Sequence, residues 1–503
     1  MAPHTRTRTG CWTCREAGYK CDEQKPYCGR CTRLKITCKG YSTKLKWKNA
    51  STASGPKRRS RDTPGRSSMD RATTVAERSP SSTASVASAP IAMEHYEMDT
   101  FYDWKQGEAL IPSAMPVMAP DLPAHDRTLL HYWINHLSSL ISASPRSIRG
   151  SPFQVHLTSM TCTPGALRST VLSMAATHLA LQIHDPSLRF QAYKHQCDAI
   201  KSLQQLLLDP IDTASEPGLA TVLMMQVSAR LFGDEDAEPQ VANHLLGAKA
   251  MVARRGGSAA WRSSSNGRFL LSLFAYHDIL ASVSRSARPL LDYDCKEFVA
   301  VEDEPNTESI AQVLQIVARI SGLQDTARLA GTRNRIETAG AELEMALLSL
   351  QCPYTTSSQL GQSEEQNVQL TAEAYRHAAF IYLYRVWRGI GAPHPETLIH
   401  VDQCLNCLER VDIDSSLISS HVWPLWTAGC EAIDLQQRSF VRARFQAMYR
   451  SRLFPSLKRI VRDVDDVWAA KDAEQLLGGE EGMKKVECMS VIRRRRGREV
   501  DLA

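Results

Sequence analysis

From about residue 120 onward, apolar residues recur every three to four positions, which is the period of a helix with one buried face. Thr163 can cap a helix with Pro164 at its first position, and one apolar stripe then follows at Leu167, Val171, Met174, Ala175, His178 and Leu179. Ser363-Glu364-Glu365-Gln366 has the form of a capping box and predicts a helix that stops at Gly389. Further helices are predicted near 126–142, 190–208, 218–232, 241–255, 267–284, 308–328, 398–411 and 425–447. No comparable series of alternating runs between hairpin turns is present, so the predicted fold class is all-α.

Residues 43–118 are predicted to form a linker. The part up to about residue 92 is rich in Ser, Thr, Ala, Pro and Arg and has little to bury, so we expect it to be disordered. No leucine occurs between Leu45 and Leu110, which excludes a leucine-heptad coiled coil there, and a homodimer would have to form elsewhere. Residues 93–104 alternate acidic and aromatic side chains, which fits either an activation or docking segment or a first packed element of the helical region.

Charge is distributed unevenly along the 503 residues. Residues 1–78 carry 19 Lys and Arg against 6 Asp and Glu, whereas the remainder carries 41 against 48. A basic head of this kind favours binding to nucleic-acid phosphates. No stretch approaches the ~18 uninterrupted apolar residues of a membrane span, so no membrane partner is expected.

Two short basic runs are candidate nuclear import signals, although a solvated charge run has the same composition. One consists of Lys57, Arg58, Arg59 and Arg61. The other lies near the C-terminus, at residues 493–496 together with Arg498.

Six cysteines between Cys11 and Cys38 are spaced C-x2-C-x6-C-x6-C-x2-C-x6-C, so that one unit occurs twice, as Cys11-Cys14-Cys21 and Cys28-Cys31-Cys38. Six thiolates are too many for one tetrahedral zinc, and they satisfy two zinc ions only if two sulfurs bridge both metals. Disulfides suit a secreted protein, but the first ten residues contain no apolar signal segment. An iron–sulfur cluster usually takes four cysteines and would not explain the doubling. Because a segment of this length buries almost no apolar core, bound metal is expected to supply most of the free energy of folding of the segment.

This spacing, together with Arg15, Lys20, Asp22 and Pro26, resembles the binuclear Zn2Cys6 cluster of fungal transcription factors. The resemblance implies a DNA-binding domain over residues 7–42 in which Cys11 and Cys28 are the bridging ligands. It also implies a short helix after each C-x2-C, the first inserted at the major groove to bind a CGG triplet. Phosphate contacts are expected from Arg15, Lys20, Arg33 and Lys35.

One feature departs from the family pattern. Two adjacent positions that are usually basic and approach base edges are occupied here by Ala17 and Gly18, and neither side chain can donate a hydrogen bond. Gly18 also weakens a helix interior, unless it lies at the helix end, where glycine is favourable. We therefore expect salt-sensitive DNA binding with modest or altered triplet preference.

Several phrases of the helical region resemble the C-terminal regulatory domain of a large group of fungal Zn2Cys6 factors. They are LLHYWINHLSSL, HLLGAKAMVARRGG, YHDILAS, AYRHAAFIYLYR and WPLWTAGCEA, in that order along the chain. The resemblance implies an all-helical domain, placed at residues 119–475, that serves regulation and effector or partner binding. Residues 476–503 are then expected to be a basic C-terminal tail.

The sequence gives no support for an enzyme. It contains no Gly-Lys dipeptide for a phosphate-binding loop, no G-x-S-x-G, no H-E-x-x-H and no G-x-G-x-x-G. Cys404 and Cys407 form a lone C-x2-C within a helical apolar pattern, which favours buried structural cysteines. Four histidines on predicted helices lack partner ligands at metal spacing and are interpreted as packing residues: His131, His178, His244 and His377.

The resemblance implies a nuclear regulator of RNA polymerase II transcription that binds double-stranded DNA and the transcription machinery, and by the habit of the family it would control one metabolic, often secondary-metabolite, gene cluster. The alternative is a regulator with weak or no base recognition that acts as a protein-interaction or corepressor module.

Overall fold

The computed structural model describes residues 10–17, 19–24, 27–40, 119–144, 150–233, 241–293, 308–327, 333–350, 362–500 and 502–503. Within these ranges all regular structure is helical, as the all-α prediction requires. The predicted linker, including the acidic-aromatic segment, lies outside the described residues. None of the described helices combines the length and the apolar character that crossing a membrane would need.

Two short helices, α1 (Trp12–Glu16) and α2 (Gly29–Arg33), belong to the cysteine-rich segment. The first half of the helical region consists of α3 (Ala124–Tyr132), a π-helical turn (Trp133–Leu137), α4 (Ser138–Leu140), α5 (Pro152–Thr161), α6 (Ala166–Ile183), α7 (Pro186–Leu206), α8 (Pro210–Thr213), α9 (Glu216–Phe232), α10 (Val241–Arg254), α11 (Ser258–Trp261) and α12 (Ser265–Arg285). The second half consists of α13 (Glu308–Ala327), α14 (Arg333–Ser349), α15 (Gln362–Trp387), α16 (Pro395–Arg410), a 3-10 helix (Ser416–His421), α17 (Val422–Glu431), α18 (Leu435–Arg452), α19 (Pro455–Lys484) and α20 (Cys488–Arg496).

Most predicted helices occur with ends shifted by a few residues, but the predicted cap of α6 and the single helix predicted over 425–447 are wrong. Helix α6 begins at Ala166 after Gly165, so Thr163 does not cap it. The single helix predicted over 425–447 is two helices, because Asp434 caps a new helix through its carboxylate, which accepts from the backbone N–H groups of Gln436 and Gln437.

Helix α15 shows how the local sequence sets its ends. It begins at Gln362, one residue before Ser363. Ser363 therefore lies inside the helix, and its prediction as the N-cap is wrong. Its predicted end is confirmed: Gly389 has a φ of 66°, and the backbone N–H of Ile390 donates to the carbonyl oxygen of Tyr384 at 3.2 Å. This closing bond over six residues is a glycine-terminated helix end.

The core of the helical region is built around α15, which packs against α13, α14, α16 and α17. Its Tyr375 and Phe380 are almost completely buried, and Phe380 stacks on the ring of His400 with centroids 4.3 Å apart. The most buried tryptophans elsewhere are Trp133, Trp261 and Trp423. One continuous apolar cluster therefore connects the described helices from α3 to α20.

The prediction of a basic tail from residue 476 is wrong for the described residues. Helix α19 continues to Lys484, and after it Ile492 and Leu502 are fully buried in the core. Arg495 and Arg496 form ion pairs with Asp466, and Arg498 pairs with Asp463. The apolar residues that flank the arginines, Val491 and Ile492 before them and Val500 and Leu502 after them, are the sequence feature that indicates a folded segment here.

Candidate metal centre and nucleic-acid interface

Each short helix of the cysteine-rich segment begins directly after a cysteine that also caps it. The sulfur of Cys11 accepts a hydrogen bond from the backbone N–H of Cys14 at 3.4 Å, and the sulfur of Cys28 accepts one from that of Cys31 at 3.3 Å. A sulfur in this position faces the positive end of the helix, which favours the thiolate form that a metal needs.

The second half of the segment repeats the first in three dimensions. The backbone N–H of Cys11 donates to the sulfur of Cys21 at 3.3 Å, and that of Cys28 donates to the sulfur of Cys38 at 3.5 Å. The sequence repeat is thus a structural two-fold repeat, in which Cys11, Cys14 and Cys21 correspond to Cys28, Cys31 and Cys38.

The sulfur positions fit zinc. Two sulfurs bound to one tetrahedral zinc at about 2.3 Å lie about 3.8 Å from each other. The measured sulfur–sulfur distances are 3.6 Å for Cys11–Cys28, 3.7 Å for Cys14–Cys28 and 3.9 Å for Cys11–Cys31. Five of the six cysteines are buried, and Cys38 is half-buried. The site therefore has the soft ligands, the spacing and the exclusion of solvent that a binuclear zinc cluster requires.

Two groups of four sulfurs, each within 4.8 Å of one another, divide the six cysteines between two metals. One group is Cys11, Cys14, Cys21 and Cys28, and the other is Cys11, Cys28, Cys31 and Cys38. The groups share Cys11 and Cys28 and are exchanged by the repeat. Cys14 and Cys31 also lie 4.0 Å apart, so it is the membership of both groups that marks Cys11 and Cys28 as the shared pair.

Burial makes the unbound thiols poor acids. It raises the pKa of Cys11 and of Cys28, so both thiols are protonated near neutral pH unless a cation lies beside them. Binding of zinc must therefore release protons from these thiols, and folding of the cluster is coupled to the binding of its metal.

Asp22, in the first half of the cluster, is hydrogen-bonded to the second half. Its carboxylate accepts hydrogen bonds from the backbone N–H groups of Gly29 at 2.9 Å and Arg30 at 2.8 Å, in the first turn of α2. Desolvation alone would raise the pKa of Asp22, but these backbone donors and the charge of Arg33 outweigh it and lower that pKa. Asp22 thus serves as a second, charged cap of α2.

A second connection joins the start and the end of the cluster. The backbone N–H of Trp12 donates to the carbonyl oxygen of Gly40 at 2.9 Å. The hydroxyl of Thr13 donates to the carbonyl oxygen of Thr37 at 3.0 Å and accepts from the N–H of Lys39 at 2.8 Å. The first turn of helix α1 is therefore hydrogen-bonded to residues 37–40.

The four predicted phosphate contacts, Arg15, Lys20, Arg33 and Lys35, are all exposed. The guanidinium group of Arg15 lies 4.2 Å from the ring centroid of Trp12, which orients it along α1. A fifth cation, Arg30, was missed at the sequence level. Its guanidinium group lies 4.0 Å from the ring centroid of Tyr19, and its Nη1 lies 4.0 Å from the sulfur of Cys14. The sequence signal for this contact is an arginine shortly after the fourth cysteine together with a tyrosine shortly before the third.

Ala17 is the exposed C-cap of α1, so the position where basic residues are usual carries only a methyl group. Gly18 lies outside the described residues. Its equivalent in the repeat, Lys35, follows the C-cap of α2 with a φ of 53°, a conformation that favours glycine.

The packing interpretation holds for the buried cysteine and histidine named next, but it is wrong for His131, which is exposed on α3. Cys404 is buried and donates to the carbonyl oxygen of Ala374, and Cys407 is half-buried. His178 lies between the hydroxyl of Tyr132 at 2.7 Å and the carbonyl oxygen of Arg452 at 2.8 Å. Across the described residues, the two sulfur groups of the cluster are the groupings close enough to hold a metal. The first import candidate, Lys57, Arg58, Arg59 and Arg61, lies outside these residues.

Comparison with known proteins gave two family matches. The fungal Zn(2)-Cys(6) binuclear cluster domain matches residues 9–48, and the fungal specific transcription factor domain matches residues 128–500. The chain is 22% identical to pestheic acid cluster transcriptional regulator 3 of Pestalotiopsis fici, in an alignment that covers 94% of this chain and 96% of that protein.

Other relatives match over a short segment of the chain. Arginine metabolism regulation protein II of Saccharomyces cerevisiae is 50% identical over 42 residues, and sterol uptake control protein 2 of Candida albicans is 55% identical over 38 residues. Each match covers 8% of this chain and 5% of the relative. No solved structure matched significantly.

Proposed function

The chain belongs to the fungal Zn(2)-Cys(6) transcription factors, and from this membership we propose that it works in the nucleus as a sequence-specific DNA-binding regulator of RNA polymerase II genes. The observation that carries the proposal is the arrangement of the six cysteine sulfurs in two groups of four that share Cys11 and Cys28, which suits two zinc ions. In this proposal Cys11 and Cys28 bridge the metals, and the other four cysteines each bind one.

DNA binding rests on the cations that surround this unit. Arg15, Lys20, Arg33 and Lys35 are exposed and contact phosphates, and α1 enters the major groove. These contacts fix the position of the domain on the duplex but carry no sequence information. Base recognition differs from the usual pattern of the family, in which this position is basic, because Ala17 offers no hydrogen-bond donor to a base edge. The preferred site is therefore an altered or weakened CGG-like element.

The proposed domain organisation follows the family matches. Residues 7–42 form the DNA-binding unit, residues 43–118 form a linker that carries the import signal, and the helical regulatory domain begins at residue 119. The relative that aligns over nearly the whole chain is named as the regulator of a pestheic acid cluster. By extension, this chain regulates the genes of one secondary-metabolite cluster.

The second candidate function is a regulator that acts on other factors through protein contacts with little base recognition, and the exposed methyl group of Ala17 favours it. Selection of DNA from a random library by the zinc-loaded full chain separates the two. Enrichment of a defined site supports sequence-specific binding. Retention of DNA without enrichment of any motif supports the interaction module.

Chromatin profiling in the source fungus tests the assignment to one gene cluster. Binding peaks scattered over unrelated genes would contradict that assignment.

A further inference from the structure

The guanidinium group of Arg30 belongs to α2 along the chain but lies against α1 in the folded cluster. It is 4.0 Å from the ring centroid of Tyr19, and its Nη1 lies 4.0 Å from the sulfur of Cys14. The backbone N–H of Tyr19 donates to the carbonyl oxygen of Cys14 at 2.9 Å, which folds Tyr19 back against the last turn of α1. Arg30 therefore brings a positive charge from α2 to the C-terminal end of α1.

This end of α1 is the place where the usual family pattern has basic residues that approach base edges. Here the two positions are Ala17 and Gly18. Ala17 is the exposed C-cap of α1, and Tyr19, two residues further along the chain, is 60% exposed. The head group of Arg30, packed on the ring of Tyr19, therefore lies next to the positions whose base contacts are missing.

The way in which Arg30 is held suits base recognition. A guanidinium group that packs on a ring by its face keeps its N–H groups around its edge, where they can donate to another molecule. The backbone of Arg30 is also fixed, because its N–H donates to the Asp22 carboxylate at 2.8 Å. A side chain that is held in place before binding loses less entropy when it binds. Donation by arginine to O6 and N7 of guanine is the commonest specific contact between proteins and DNA bases.

Two other arginines of the cluster are directed elsewhere. The guanidinium group of Arg15 lies 4.2 Å from the ring centroid of Trp12, the first residue of α1, so it is directed toward the opposite end of that helix. The positive charge of Arg33 contributes to the lowered pKa of Asp22, which places this side chain on the side of that carboxylate. Within the described part of the cluster, Arg30 is thus the arginine whose head group lies beside Tyr19 at the end of α1.

We propose that Arg30 is a base-recognition residue of this chain and that Tyr19 is the residue that positions it. This inference rests on the DNA-binding function proposed above. With α1 in the major groove, the ring of Tyr19 supports one face of the guanidinium group, and two N–H groups at its edge donate to O6 and N7 of one guanine. The contact replaces one of those lost at positions 17 and 18, so the chain retains a strong preference at a single base pair.

The test compares DNA selection from a random library by the zinc-loaded full-length wild-type chain and by Arg30→Lys. One guanine is expected to be strongly preferred in the wild-type motif. In Arg30→Lys this position should become degenerate, because lysine keeps the charge but has neither the planar edge nor the stacking face of arginine. Fluorescence anisotropy then compares the selected duplex with the same duplex in which this guanine is replaced by adenine. The ratio of the two affinities should fall about tenfold in Arg30→Lys.

Three further variants separate base recognition from charge. Tyr19→Phe keeps the ring and should retain the preference for guanine, whereas Tyr19→Leu removes the stacking face and should weaken the preference by about two- to fivefold. Arg33→Ala is the matched control, because Arg33 is an exposed arginine on the same helix. It should lower the affinity for both duplexes equally and reduce the slope of log affinity against log salt by about one. Two zinc ions in each variant, measured by native mass spectrometry, show that the cluster is intact.

Identical motifs from the wild-type chain and Arg30→Lys would overturn the assignment. An equal loss of affinity on both duplexes would also overturn it, because that is the behaviour of a phosphate contact. A wild-type chain that enriches no motif would instead contradict the sequence-specific function itself, and this inference with it. If Arg30→Lys loses zinc, the comparison of Tyr19→Phe with Tyr19→Leu decides, and an equal preference for guanine in these two variants would overturn the proposal.

Discussion

The sulfur atoms of Cys11 and Cys28 lie 3.6 Å apart, although 17 residues separate them in the chain. Each is the N-cap of a short helix and each belongs to both groups of four sulfurs. Because the two positions are equivalent in the repeat, Cys11 and Cys28 are expected to have the same role, as ligands shared by both metals. Loss of either cysteine should therefore disrupt both metal sites.

Base recognition should improve when the missing basic side chains are restored. Ala17 is exposed at the end of α1, so Ala17→Lys/Gly18→Lys adds donors at the end of the helix that we propose to enter the major groove. A good base contact contributes about 1–3 kcal/mol of discrimination. The double variant should therefore prefer CGG sites over scrambled sites by about tenfold more than the wild-type chain does, measured by fluorescence anisotropy across a salt series. Equal discrimination by the wild-type chain would show that its base recognition is not impaired.

Nuclear import should depend on the linker run and not on the C-terminal arginines. Replacing Lys57, Arg58, Arg59 and Arg61 with alanine is expected to shift a fluorescently tagged chain toward the cytoplasm, because short runs rich in Lys and Arg are typical nuclear import signals. Arg495 and Arg496 are held in ion pairs with Asp466 on a folded helix, so alanine at residues 493–496 should leave the tag nuclear. The reverse pattern of localisation would assign the signal to α20.

The buried pair of Lys471 and Glu431 should be a major stabilising contact of the C-terminal helices. The ammonium group of Lys471 and the guanidinium group of Arg385 both donate to the Glu431 carboxylate, and Lys471 is completely buried. Glu431→Gln leaves two buried cations without their counter-charge, so it should lower stability by about 3–5 kcal/mol in thermal unfolding. Glu481→Gln removes an exposed partner of Lys484 and should leave Tm unchanged. Similar losses in both variants would refute the special role of Glu431.

The same pair predicts a pH dependence. Burial alone would raise the pKa of Glu431, but the charges of Arg385 and Lys471 outweigh it and lower that pKa from 4.5 to about 2. A lowered pKa in the folded chain means that the stabilisation is complete above pH 4.5 and is lost as the pH falls from 4.5 toward 2. The difference in Tm between the wild-type chain and Glu431→Gln should therefore shrink over this acidic range. A difference that is constant down to pH 2.5 would contradict the assignment.

Two helical glycines should respond oppositely to the same substitution. A Cβ at Gly340 would lie 2.3 Å from the ring of Trp387, whereas one at Gly322 would meet nothing within 4 Å. Gly322→Ala should raise stability by about 0.5–1 kcal/mol, because alanine loses less entropy in a helix. Gly340→Ala should lower it by about 1–3 kcal/mol through the clash. Thermal unfolding of both variants checks this, and a stabilised Gly340→Ala would mean that Trp387 moves freely.

Sequence patterns identified the cluster and most helices because their signals are local. Cysteine spacing fixes ligand number, and apolar periodicity fixes helix faces. The break between α17 and α18 was missed because the apolar pattern continues across Asp434, whose role is visible only once its carboxylate meets the backbone of α18. The folded state of α20 was missed because four consecutive arginines dominate its composition, although Ile492 beside them is fully buried.

The parts of the site that depend on distant contacts were not predictable. The cap that Asp22 provides for α2 and the stacking of Arg30 on Tyr19 need the two halves to be in contact.

The most direct test of the binuclear cluster is the zinc content of the purified full chain, measured by native mass spectrometry together with elemental analysis. The wild-type chain should hold two zinc ions, and Cys28→Ala, which removes a ligand from both groups, should hold fewer than two and lose DNA binding. Cys38→Ala, which removes a ligand from one group only, is the matched comparison and should be no more damaging than Cys28→Ala. One zinc in the wild-type chain, or two zincs retained in Cys28→Ala, would contradict a cluster in which Cys11 and Cys28 bridge two metals.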